Sequence, residues 1–270
     1  MALSHPSPDP HSPALKGSLG IPPTLITQYR RHGGSLYQFW MGIRFFVFGW
    51  SLFWRSRHLQ LWGALPTLIT AATFGGLAFL GAWLTRHGLE VLAVPLWLLG
   101  LAQGLVALLI VLGLTYFLFF PLVTLVAGPF REHLAAQTEQ RLIGQVKRGE
   151  LSLGAVLVDV LGLIGLQLVL ALIGLGLSWL LPGLGHSIGL GIWIYLAALD
   201  MVDPVLGLWG WRLGAKLRFV SEHRALMAGF GLMSALLLAI PLLNLLILPL
   251  GTIGATALAL AVTQAQLKDS

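Results

Sequence analysis

Arg55, Arg57, His58 and Gln60 stand together just before an apolar segment, with Arg44 a short way upstream. These residue types in that pattern suit an oxyanion. The planar fork of arginine gives parallel, charge-assisted hydrogen bonds, and imidazole and amide groups supply further donors. A helix beginning beside them would add free N–H groups and positive potential. The second reading of any one of these arginines is anchoring to anionic lipid at a membrane surface.

Two other places in the chain carry costly residues. In "AIPLLNLLILPLGTIGAT", residues 239–256, Pro241 and Pro249 interrupt an apolar run, and Asn244 between them is the only asparagine in the chain. Broken helices leave backbone carbonyls without donors, and inside lipid every such group needs a partner. Asn244 can supply one by capping, or it can line a pore. Asp159 lies nine residues into another apolar block, where a carboxylate needs compensation. Arg131, Arg141 and Lys147 are its candidate partners. A proton- or cation-linked role suits a lone carboxylate better than contact with a dianion, and simple satisfaction by a neighbouring segment is the alternative. Asp200 and Asp203 are read at the interface, with Asp203-Pro204 ending its segment.

The elements that position these residues follow from composition. The 270-residue chain is 57% hydrophobic and 10% charged, with mean hydropathy +0.85. A soluble domain carries roughly 25% charged residues, so too little charge is present to clothe a water-facing surface. Lipid is the expected solvent, and the chain is read as an integral membrane protein. Without cysteine, disulfides, thiol catalysis and zinc–thiolate sites are excluded. No His-Glu-x-x-His, Gly-x-Ser-x-Gly or Gly-Lys-Ser/Thr phosphate loop occurs, and the eight histidines are scattered. The reading is therefore no enzyme, no metal and no cofactor. The net charge of +6 lies in short groups beside apolar segments rather than interleaved with aromatics, which argues for membrane anchoring and against nucleic acid.

Along the chain, residues 1–35 are a Pro/Ser-rich tail that lacks the apolar core of a secretory signal. Residues 36–57 repeat Leu36, Phe39, Trp40, Ile43, Phe46, Val47 and Trp50 at helical spacing. With its arginines this predicts an amphipathic helix in the headgroup layer, or else the lead-in to the next helix. Residues 59–84 can cross about 30 Å of hydrocarbon, and 91–130 run without a formal charge as one long helix. A charged surface segment, 131–150, precedes an apolar pair over 151–199 whose return is short. A second charged segment, 204–224, precedes a last pair over 225–262, with arms of about 16 and 13 residues and its tip at 241–249; residues 266–270 are a tail. Arms of 10–14 apolar residues suggest re-entrant rather than spanning helices. The fold expected is all-α, with two long transmembrane helices and two short, hemi-penetrating hairpins. Basic clusters at 30–57, 131–148 and 212–224 share one side, and the loop at 85–90 lies opposite.

The sequence "PLLNLLILPLGTIGAT" resembles the C-terminal signature of the CysZ-type sulfate permease family, related to the etoposide-induced membrane proteins. Pro241–Asn244, Pro249 and Gly254-Ala255-Thr256 carry the match. "GPFREHLAAQTE" resembles a further family segment at Pro129, Phe130, Leu134, Ala135 and Glu139. "YLAALDMVDP" and "EHRALMAGFG" resemble the approach to the last hairpin. The resemblance covers roughly 36–265. It implies the helix and hairpin arrangement above, homo-oligomers in the lipid bilayer, and passage of sulfate across the cytoplasmic (inner) membrane for sulfur assimilation. Where the family carries Pro-Gly-Leu-Arg before a Leu-Pro, this chain has Arg57-His58-Leu59-Gln60 and then Leu65-Pro66, and Thr70 replaces an expected asparagine. A non-transporting membrane scaffold or lipid-interacting protein of the same fold is therefore the alternative to a sulfate or oxyanion permease.

Overall fold

The computed structural model describes residues 33–65 and 119–269, with isolated positions between 25 and 83; the side chains of 119–127, 153, 241–246 and 269 are not among those described. The expected tail, most of the 59–84 helix, the 85–90 loop and most of the 91–130 helix lie outside these residues. All regular structure among the described residues is helical: α1 Ser35–Arg55, a helix over 57–65, α2 Phe119–Ile143, α3 Leu153–Leu180, α4 Leu184–Leu208, α5 Leu213–Glu222, α6 Arg224–Leu238 and α7 Pro241–Asp269.

The core forms where α1, α4, α6 and α7 meet. Phe45, Phe46, Leu199, Met201, Phe230 and Leu258 are fully buried there, and the rings of Phe46 and Phe230 meet edge to face at 5.6 Å. Helix α1 buries Met41, Gly42, Phe45, Phe46, Gly49, Leu52 and Phe53. Leu36, Trp40 and Val47, from the stripe read in the sequence, are exposed instead. The reason is backbone proximity. A Cβ at Gly42 would strike the carbonyl of Leu226 on α6, and one at Gly49 would lie 2.5 Å from the Gly254 nitrogen on α7. In a helix apolar on more than one side, the face that lacks side chains is the one that can approach other backbones.

Ser152 caps α3 by accepting from the Ala155 N–H at 3.3 Å. Helix α3 then runs 28 residues to a turn at Leu181–Gly183, where Gly183 has φ of 89°. Helix α4 packs back along it for 25 residues. The expected short return of 188–199 is thus corrected. Pro204 does not end the segment either: it sits inside α4, which continues to Leu208. One proline costs a helix one hydrogen bond, and here an external donor replaces it.

The last pair is also redrawn. Helices α6 and α7 turn at Ala239–Ile240, and α7 is a single helix of 29 residues containing Pro249. Pro241 opens it, at the position where a missing N–H would have had no intrahelical partner. Asn244 therefore lies in the opening of α7 rather than in a loop. Pro249 packs against the 57–65 helix, where a Cβ at Gly63 would lie 2.8 Å from Pro249 Cβ.

Among the described residues, three stretches are long and apolar enough to cross a membrane: Gly154–Leu180, Leu184–Leu208 and Ile247–Lys268. Their lengths do not mark them as short arms. Only 6% of the first is buried within the protein against 83% of the last. An apolar helix left bare outside a protein core requires lipid around it, so α7 is the central helix and α3 the outer one.

Candidate functional site

The site begins at Ser56, an extended residue between α1 and the 57–65 helix. Its Oγ accepts from the Leu59 N–H at 3.3 Å and its carbonyl from the Gln60 N–H at 3.1 Å, so Ser56 is the N-cap of the second helix. Arg141 Nη1, from the last turn of α2, donates to the same Oγ. The buried Ser56 hydroxyl thus joins a guanidinium to a positive helix end.

Arg55, Arg57 and His58 flank this point with exposed side chains. Gln60 points elsewhere. Its Nε2 donates to the carbonyls of Phe53 (3.3 Å) and Trp54 (3.1 Å), closing the C-terminus of α1. Arg44 lies eleven positions before Arg55 on α1, about 16 Å along the axis, exposed and 3.8 Å from Met41 Sδ. Arg55 precedes Ser56 and Arg57 and His58 follow it, while Arg44 stands apart. Beside them Trp62 links the two sides of the site, with its ring 6.4 Å from that of His58 and 4.2 Å from that of His133 on α2. Arg141 was named in the sequence only as a partner for Asp159, and Ser56 and Trp62 were missed. A serine immediately before a helical run was the one available signal for Ser56.

Asp159 has none of the three expected partners. Its Oδ2 accepts from the Leu213 N–H at 3.2 Å, capping α5, and its Oδ1 lies 3.7 Å from Arg212 Nε. Arg131 is engaged with Asp200, Arg141 with Ser56, and Lys147 lies 5.2 Å over the Trp209 ring. The sequence cannot show that α5 folds back onto α3, which is what brings Leu213 and Arg212 to Asp159. The side chains of Asn244 and Pro241 fall outside the described set.

Further charged residues pair on α2, α4 and α5. Arg131 Nη1 contacts Asp200 Oδ1 at 3.2 Å, and its Nε donates to Thr252 at 3.4 Å on α7. Lys216 Nζ holds Asp203 at 2.7 Å. Glu132 belongs to this group. Burial, reinforced by the charge of Asp203 and opposed by Lys216, raises its pKa above the ordinary carboxylate value. Glu139 is fully buried and accepts from Trp209 Nε1 at 3.2 Å, while its Oε1 has no partner among the described residues. Burial raises its pKa too, against the opposing effects of the Trp209 bond and Lys147.

Long apolar helices, one of them bare of protein on most of its surface, define a helical membrane protein. The family described as Sulfate transporter CysZ/Etoposide-induced protein 2.4 matches residues 45–249. The chain belongs to this family. The match takes in Arg55–Gln60, Arg141, Asp159 and Asn244, so the site and the α3–α4 pair fall within it, together with α6 and the opening of α7.

Proposed function

We propose that this protein is a permease or channel admitting sulfate or a related oxyanion, with Arg55, Arg57 and His58 gathering the anion at the start of the 57–65 helix. The observation that carries the reading is the meeting of Arg141 and the helix N-terminus at Ser56, among those exposed donors. A bare dianion cannot enter hydrocarbon, because unpaired charge there costs tens of kcal/mol in the idealised limit. Several fixed donors and a positive helix end replace part of its water shell. Family membership supports sulfate as the anion and sulfur assimilation as the purpose. The same reading places the protein in the inner membrane as a multi-pass homo-oligomer.

One observation favours a non-transporting scaffold: the Gln60 amide and one Arg141 nitrogen are already engaged by protein atoms. Growth separates the two readings. Expression in a cell that lacks sulfate uptake should restore growth on limiting sulfate. A protein that reaches the membrane in normal amount yet restores none favours the scaffold.

A further inference from the structure

His133, Gln137 and Arg141 recur every four residues on α2, which puts them on one stripe about 12 Å long. All three are half-buried. The 57–65 helix runs beside this stripe and touches both of its ends. Ser56 accepts from Arg141 at one end, and the Trp62 ring lies 4.2 Å from that of His133 at the other. Leu59 and Leu134 are buried in one apolar cluster at the same seam, so the polar stripe follows the edge of a packed contact.

The donors on this stripe are largely unengaged. Among the described residues, Trp62, His133 and Gln137 make no side-chain hydrogen bond, and Arg141 uses a single Nη1 on Ser56. A half-buried N–H has lost part of its water, and leaving it without an acceptor is destabilising. The α2 carboxylates nearest the stripe turn toward the end of α4 instead. Glu139 accepts from Trp209 Nε1 at 3.2 Å, and a Cβ at Gly207 would lie 3.9 Å from Glu132 Oε1. The stripe therefore offers donors and carries no negative charge. It leads from the basic end of α2 toward Phe119–Phe130, a run without a formal charge.

We propose that Arg141, Gln137 and His133, with Trp62 across the seam, form a ladder of donors that passes the oxyanion inward from the mouth at Arg55–His58. The inference rests on the permease reading and gives it a route. Successive rungs stand about 6 Å apart along the helix axis. One oxyanion bridges that gap with a hydrogen bond of about 2.8 Å on each side, so it moves by exchanging one donor at a time. Indole and amide carry no charge and hold an anion less firmly than a guanidinium does. Arginines at the mouth followed by weaker donors suit passage rather than retention.

The test is uptake of labelled sulfate by the full-length protein in liposomes, followed over a range of sulfate concentrations. His133→Phe keeps a ring beside Trp62 and Gln137→Leu keeps the side-chain size, while each removes the donors. Each should lower the maximal rate about tenfold, the worth of one hydrogen bond to a charged group, and leave the half-saturating concentration set by the mouth. His133→Gln restores a donor and should recover most of the rate lost in His133→Phe, a rescue that a purely packing role does not give. A second measurement follows binding instead of flux. In this cysteine-free chain, sulfate should slow the reaction of an anionic thiol reagent with a cysteine at position 137 and leave one at the exposed position 140 unaffected. Wild-type rates in His133→Phe and Gln137→Leu, no rescue by His133→Gln, or no protection at position 137 would overturn the ladder and leave the mouth reading standing. Wild-type protein that takes up no sulfate overturns the permease reading and the ladder with it.

Discussion

Arg131 donates to the backbone carbonyl of Asp200, four residues before Pro204 in α4. A proline has no N–H, so this carbonyl is the one that Pro204 leaves without an intrahelical partner. The same guanidinium holds the Asp200 carboxylate and reaches Thr252. One side chain from α2 therefore repairs the break in α4 and ties both helices to α7.

Replacing Arg131 with Leu should destabilise the protein by about 3 kcal/mol, the low end for breaking a buried pair, because Asp200 is 34% exposed. Pro204→Ala restores the missing N–H and should reduce that cost by about 1 kcal/mol. Unfolding of the four variants in detergent gives the coupling as a double-mutant cycle. Strict additivity would show that Arg131 does not replace the proline's lost bond.

Glu139 supplies a pH prediction. Its folded-state pKa is raised, so the folded protein holds a proton that the unfolded chain has released. Between the ordinary carboxylate pKa and the raised one, stability falls as pH rises. Glu139→Gln keeps an acceptor for Trp209 and removes that titration. The variant should be more stable than wild type at neutral pH, with the advantage shrinking as pH falls toward 4.5, the ordinary value. An advantage that grows on acidification contradicts the burial account.

Asp159 acts on α5 through an acceptor rather than through its charge. Asp159→Asn retains an oxygen for the Leu213 N–H and should cost only a few tenths of a kcal/mol, since its ion partner Arg212 is largely exposed. Asp159→Ala should cost about 1 kcal/mol, the usual loss for a helix cap. Amide exchange along α5 should be faster in Asp159→Ala alone. Equal acceleration in both variants would assign the effect to charge.

Much of this fold was legible from composition and spacing, and the misses share physical causes. The apolar blocks 151–199 and 225–262 form helices, as their hydropathy implied, the first running on to Leu208. The turn of the last pair falls at Ala239–Ile240 rather than over 241–249, because a proline opening a helix loses no bond, and α7 continues past Pro249. On α1, aromatic residues cover several faces, and Gly42 and Gly49 decide which one packs. The partners of Asp159 and Arg131 lie 54 and 69 residues away in sequence, so only the tertiary fold could reveal them. That Arg55, Arg57 and His58 flank the start of the 57–65 helix was legible because their positions are adjacent in sequence.

Topology can be read in this cysteine-free chain. Single cysteines at positions 140, 148 and 218 should react with an impermeant reagent from one side, and a cysteine at position 87 from the other. Positions 87 and 140 reacting from the same side contradicts the arrangement derived from the basic clusters.

Sulfate flux through purified protein tests the central claim most directly. Liposomes containing the wild-type chain should take up labelled sulfate, and the double variant Arg55→Ala, Arg57→Ala should lose most of that uptake while assembling normally and leaving the Ser56–Arg141 contact in place. Uptake unchanged in the double variant, or no uptake of any oxyanion by well-folded wild-type protein, would contradict the account.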